Sequence, residues 1–180
     1  MKKTIKLQIF YILLKVYNIL FYLSFGLGLR QFLMKIAGFQ IGKKTSIQAV
    51  RFFSFGKLKV GNNTIINSGC YLDNRRCITI GDNVVIAHDT KIYTLGHDIN
   101  DPTFITKGAS VVIEDYVILF SNTLIMPGVT VAKGAVVLPG SVVTKNVESM
   151  NVVGGNPAIL IKKRIGLHTN KKVKKYLFSI

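Results

Sequence analysis

An aliphatic residue returns at every sixth position through the middle of the chain: Ile113, Leu119, Ile125, Val131, Val137 and Val143. Four residues after each stands a small or β-branched one: Val117, Thr123, Val129, Ala135, Ser141 and Val147. A period of six matches neither the helical period of about 3.6 nor the strand period of 2. It is the period of a parallel β-helix, in which each hexad supplies one short strand and one turn. The leading aliphatic side chain points inward and stacks on its equivalents in neighbouring coils. The same phase continues upstream through Ile41, Ile47 and Phe53, then Val60, Ile66 and Leu72, then Ile80, Ile86 and Ile92. A mainly β solenoid is therefore predicted over residues 39–158.

The phase breaks in three places. One residue is extra between Phe53 and Val60, and two between Leu72 and Ile80, around Asn74 to Cys77. Ile92 and Ile113 are 21 residues apart, three hexads plus three, so a loop over 93–112 leaves the prism. A loop that escapes a rigid scaffold is a favoured place for a binding or catalytic group.

Before the hexads, residues 4–36 read as helical and very apolar, forming an N-terminal hydrophobic segment over 1–38. Gln8, Tyr11, Lys15, Asn18 and Tyr22 make one narrow polar stripe at spacings of 3 and 4. Gly26 and Gly28 mark a break before a second short amphipathic piece, Leu29 to Ile36. A helix apolar over most of its circumference must enter a bilayer interface or pack against another subunit. Lys15 and Asn18 sit mid-helix, where a full span would bury a charge at high cost. Interfacial attachment is the preferred reading over a span or a cleaved signal peptide. No hexad begins before Ile41, so the prism is expected to fold without this segment. After Val152-Val-Gly-Gly-Asn-Pro-Ala158 the residues 159–180 read as a basic amphipathic tail with a short helix.

Charge narrows the choice of partner. The net charge is +16, and all eight acidic residues lie between Asp73 and Glu148. The first 72 residues carry eleven Lys/Arg and no carboxylate, and Lys162 to Lys175 carry seven more cations. An anionic surface or ligand fits this pattern: phospholipid, nucleic acid or a phosphorylated co-substrate. The tail lacks the aromatic interleaving that stacks bases, which argues against nucleic acid. Cys70 and Cys77 match no metal or redox spacing, and Cys70 takes a small inward position, so it reads as packing.

Proton transfer from a hydroxyl calls for a base that titrates near neutrality, and histidine is the first candidate. His88 lies within the regular hexad that starts at Ile86 and His168 lies in the basic tail, so both read as solvated. His97 sits in the extruded loop among Asp98, Asn100 and Asp101. On spacing alone it is equally a base or a loop residue capped by its own aspartates. The histidines are nine and 71 residues apart, which fits no tetrahedral zinc site.

The hexads, the loop Gly96-His-Asp-Ile-Asn-Asp-Pro102, and the ending Val142-Val-Thr-Lys145 with Gly154-Gly-Asn-Pro-Ala158 closely resemble the hexapeptide-repeat acetyltransferases. The likeness covers about residues 41–165 and is nearest to the sugar and capsular polysaccharide O-acetyltransferases. It implies a left-handed β-helix, a homotrimer, acetyl-CoA as co-substrate and no metal. It places the family's catalytic histidine on His97 and its substrate-orienting asparagine on Asn67. An acidic sugar-contacting residue of the family falls on Arg75, flanked by Asp73 and Asn74, a departure that points to a different, anionic acceptor. Asp98 joins these as an acceptor contact. Positions along the pantetheine arm correspond to Ser121 and Pro139, those near the adenine and phosphates to Thr144 and Lys145. Lys162 stands where the family often has arginine, and Ile118 where it often has an aromatic residue.

The resemblance thus implies acetyl transfer from acetyl-CoA to a sugar hydroxyl of a cell-surface polysaccharide precursor, in a ternary complex with His97 as base. The glycan or lipid-linked glycan acceptor would be met at the cytoplasmic face of the cell membrane. A nucleotide sugar or other small soluble acceptor is the second reading. A non-enzymatic, basic membrane-binding solenoid is the third, and it leaves the His97 loop without a purpose.

Overall fold

The computed structural model describes residues 2–24 and 27–167. Two helices, α1 (Lys2–Leu23) and α2 (Leu27–Ile36), precede a stack of very short parallel strands. The strands form three sheets, which we call faces A, B and C, and the chain visits them in that order once per coil. In register, Ile66, Ile86, Leu119, Val137 and Val153 climb face B. Leu72, Ile92, Ile125 and Val143 climb face C, and Val60, Ile80, Ile113 and Val131 climb face A. All of these side chains are buried. The hexad therefore builds the fold as predicted: a parallel β-solenoid whose interior is a continuous column of aliphatic side chains.

Close stacking explains the glycines that open the turns between faces A and B. A Cβ on Gly42 would stand 2.5 Å from the carbonyl oxygen of Gly61 in the next coil. No side chain fits that approach, and Gly42, Gly61 and Gly81 repeat it coil after coil.

Three expectations are corrected. The inward residue of the first coil on face C is Phe52, at 1 % exposure, not Phe53. Phe52 pairs with Leu72, so the insertion that follows is eight residues to Val60, the same as from Leu72 to Ile80, and the shortfall lies in the five from Ile47. The helix expected in the tail is a strand where the structure describes it. Ala158–Lys163 runs antiparallel to Asn151–Gly155 on the outer edge of face B; the rest of the tail, with His168, lies outside the described residues. Finally, the N-terminal segment is part of the core. Tyr17 and Phe21 of α1 and Met34 of α2 join Phe39 and Phe52 in one buried cluster. Asn18 accepts from the Phe52 amide at 2.8 Å and donates to the Phe52 carbonyl at 3.0 Å. The helix closes the open end of the prism, where the first coil would otherwise leave its apolar interior and strand edge in water.

Candidate active site

The prism has two edges on either side of face C, and the predicted site residues divide between them. On the edge from B to C, Asn67 follows Ile66, and one step further Ser121 and Pro139 stand a coil apart. The Ser121 carbonyl accepts from Gly140 N at 3.0 Å, fixing that spacing. Asn67 and Ser121 are half-buried and Pro139 is exposed. His88 lies on the same edge, exposed, between the levels of Asn67 and Ser121. On the edge from C to A, Asp73 follows Leu72, Tyr93 follows Ile92 and Thr144 follows Val143, with Lys145 next and exposed. The His97 loop leaves from this second edge. One chain therefore does not bring Asn67 and His97 to the same edge.

The extruded loop is a hairpin. Leu95–His97 pairs antiparallel with Thr106–Gly108, His97 opposite Thr106. Its tip is tied by its own side chains, as Asx turns are. Asp98 accepts from Asn100 N at 3.1 Å and from Lys107 Nζ at 2.8 Å. Asp101 accepts from the amide and hydroxyl of Thr103 at 2.8 and 2.6 Å. The Lys107 ammonium first, with the Asn100 amide, holds the Asp98 carboxyl below its ordinary range; Thr103 does the same for Asp101. Asp98 is thus tied into the hairpin, one carboxylate oxygen to each donor.

These turns deliver His97. Its Nδ1 lies 2.8 Å from the Phe104 carbonyl oxygen, and its ring stacks on the Phe104 ring, centroids 4.4 Å apart and planes 1° from parallel. A carbonyl can only accept, so Nδ1 carries a proton, and whenever the ring is neutral its lone pair falls on Nε2. The aspartates cap other groups; the imidazole is oriented by backbone and aromatic stacking.

The Asp73 to Arg75 cluster differs from its sequence reading. Asp73 and Asn74 are both fully buried, so neither side chain reaches an acceptor. Asn74 accepts from Phe53 N and Ser54 N, each at 2.9 Å, and donates to Ser54 O at 2.8 Å, pinning the previous coil's insertion. Asp73 grips Arg75 through two bonds of 2.8 Å, from Nε and Nη2. That bond chiefly raises the Arg75 pKa further, and Arg75 remains 41 % exposed. The outward group at this position is a guanidinium in a fixed pose. Sequence reasoning missed its neighbours: Phe53, Tyr71 and Tyr93 form an aromatic ladder with centroids 4.4 and 5.3 Å apart. The signal was available, since each flanks an inward residue of face C.

At the far end, Lys162 is exposed on the antiparallel strand opposite Val152. Nearby, Arg164 donates to the carbonyls of Tyr116 and Gly134 at 3.0 and 2.9 Å. Cys70 is buried, its thiol pushed up to about 12 by desolvation, and acts as packing. Among the described residues no group of three or more His, Cys, Asp or Glu is placed to hold a metal.

Comparison with known proteins bears on this arrangement. WcaF of Escherichia coli strain K12, which carries the name of a colanic acid biosynthesis acetyltransferase, is 31% identical over 137 residues, 76% of this chain and 75% of its own. The chain belongs to the hexapeptide-repeat acetyltransferases. No family model matches it. The crystal structure of the hexapeptide-repeat acetyltransferase VCA0836 of Vibrio cholerae, complexed with acetyl coenzyme A, superposes with a TM-score of 0.78 at 28% identity. It covers 83% of this chain and 84% of its own. A maltose O-acetyltransferase of Clostridium difficile superposes with a TM-score of 0.77 at 32% identity, over 85% of each chain. As a member of the hexapeptide-repeat acetyltransferases, the chain is an acyltransferase.

Proposed function

We propose that this protein transfers the acetyl group of acetyl-CoA to a sugar hydroxyl of a cell-surface polysaccharide precursor. The carrying observation is the 2.8 Å approach of His97 Nδ1 to Phe104 O, which engages that nitrogen and leaves Nε2 to act as the base. His97 Nε2 takes the hydroxyl proton as that oxygen bonds to the thioester carbonyl carbon. The tetrahedral adduct then collapses, the carbon–sulfur bond breaks, and the proton on Nε2 goes to the departing thiolate. A backbone N–H would hold the oxyanion. Transfer is direct in this reading: Cys70 is buried with a raised pKa, and neither it nor Cys77 lies in a nucleophile motif. The name of WcaF supports a polysaccharide acceptor, and the acetyl-CoA complex of VCA0836 supports the donor.

The working unit in this reading is a homotrimer. Asn67, Ser121 and Pro139 on one edge and His97, Thr144 and Lys145 on another become one groove when the two edges come from adjacent subunits. The acceptor is met at the inner face of the cell membrane. α1 supports this: it is long and apolar enough to cross a bilayer, yet its Leu14, Tyr17 and Phe21 are seated on the prism. Ile12, Leu13 and Leu20 remain outward, which suits an interface better than a span.

The test is His97→Ala in the purified protein, with thiol release from acetyl-CoA followed with and without glycan acceptors. The expected loss is about 100-fold or more with the assembly intact, the scale for a general base. Turnover within a few-fold of the parent would overturn the mechanism.

A further inference from the structure

A cleft of about 800 Å³ opens between α1 and the first two coils, within the range of roughly 300–1,000 Å³ typical of small-molecule sites. Ile19 and Leu23 wall it from the helix, Val50 and Phe52 from the prism. Its lips are different in kind. Lys15 lines it on the helix side, and Arg51 and Phe53 on the other. The Arg51 guanidinium lies 5.0 Å from the Phe53 ring centroid and 5.8 Å from that of Tyr71. The Arg75 guanidinium lies 5.8 Å from the same Phe53 ring. One aromatic side chain thus carries two guanidiniums at the mouth.

Counter-charge is scarce there. Every lining residue falls between Tyr11 and Cys70, a stretch of chain with no carboxylate. Arg75 is held by Asp73, but no ion pair among the described residues engages Arg51 or Lys15. Arg51 and Lys15, without such a partner, favour an external anion, while the apolar interior favours hydrocarbon. Guanidiniums in a fixed fork suit phosphate oxygens in particular. The outward apolar face of α1 places the cleft beside the surface where such a molecule would reside.

We infer that this cleft binds a phosphorylated long-chain lipid, its phosphates on Arg51 with Lys15 and the outer edge of Arg75 nearby, and its first chain carbons between α1 and the prism. The inference deepens the reading of a membrane-borne acceptor and rests on it only for what the headgroup carries. Charge at the mouth and an apolar interior select one amphiphilic occupant.

The experiment is calorimetric titration of the full chain, without acetyl-CoA, with farnesyl diphosphate, farnesol and inorganic pyrophosphate. Farnesyl diphosphate should bind at least about tenfold more tightly than either fragment. Arg51→Ala should weaken it by about tenfold, the scale of a lost charge-assisted bond. Ala49→Trp, which fills the cleft, should weaken farnesyl diphosphate and leave pyrophosphate unchanged. Thermal melting of both variants checks the fold, and if Ala49→Trp does not fold, Arg51→Ala, an exposed side chain, carries the test. Equal affinity for pyrophosphate would make this a free-phosphate site, and equal affinity for farnesol a purely apolar one. Displacement by CoA would assign the cations to the donor, and no binding would mean that another subunit covers the cleft. Each of these overturns the proposal. Thiol release from acetyl-CoA with glycan acceptors, in the absence of farnesyl diphosphate, reads the enzymatic assignment separately: its absence in a protein that still binds farnesyl diphosphate sinks that assignment and leaves the cleft standing.

Discussion

A neutral imidazole has one donor and one acceptor nitrogen, and the hairpin assigns them in His97 through one carbonyl and one ring of the same residue. Phe104 sits at φ 53, a left-handed conformation that costs a bulky residue more than glycine. Phe104→Gly therefore keeps the carbonyl and relaxes the backbone, removing only the stacked ring. Turnover should fall by about 2- to 10-fold, the worth of an aromatic contact, with donor binding unchanged. An unchanged kcat would show that the carbonyl alone orients the base. The hairpin's place was legible because the hexad phase fails between Ile92 and Ile113. Its tautomer was not, since spacing cannot say which carbonyl a ring nitrogen meets. Asp73 and Asn74 show the same limit: both are polar and sit at a break in the phase, yet their bonding capacity is consumed inside the prism. What reaches outward is Arg75, which only the pairing reveals.

α1 is apolar almost all round, so its sequence gave no unique inner face. The seam that packs is Leu14, Tyr17 and Phe21, with Ser24 beyond the helix end, one position before the polar stripe read from spacing. The stripe then borders the cleft, and its Asn18 stands in for the missing strand by pairing with both backbone groups of Phe52. Asn18→Ala should cost about 1–3 kcal/mol, the penalty for unpaired, partly buried backbone groups, read as a lower urea midpoint. No change would mean that water replaces the side chain. Removing residues 1–36 is a poorer experiment than the repeat pattern suggested, because it would bare Phe39 and Phe52. Substitution on the outer face separates anchoring from capping. Ile12 and Leu20 are 61 % and 52 % exposed, so Ile12→Glu with Leu20→Glu should leave melting unchanged. The same pair should reduce flotation with neutral liposomes about tenfold or more, given ~1.5 kcal/mol for each apolar side chain withdrawn from lipid. Undiminished flotation would place this face against another protein surface.

A solenoid shows its neighbours long parallel edges, and which edge a residue occupies follows from its distance past the inward aliphatic. Asn67 comes one residue after a face-B strand; His97 leaves from the end of face C. The same counting puts Ser121 and Pro139 with Asn67, and Thr144 and Lys145 with the His97 hairpin. In the proposed trimer a single chain would supply two half-sites separated by face C, and symmetry would join them, since each copy offers both edges. This makes a prediction that point variants alone cannot. His97→Ala and Asn67→Ala chains should each be nearly inactive as homotrimers. Unfolded together in equal amounts and refolded, they should regain up to about a quarter of wild-type activity, because one interface in four pairs an intact His97 with an intact Asn67 from the neighbour. If both residues served one site within a chain, every site would carry one defect and the mixture would only average the two variants. Size-exclusion measurements on the refolded mixture distinguish that result from failed assembly. The hexad phase made both edges countable from sequence, but not what joins them, since a repeat shows the same edges coil after coil.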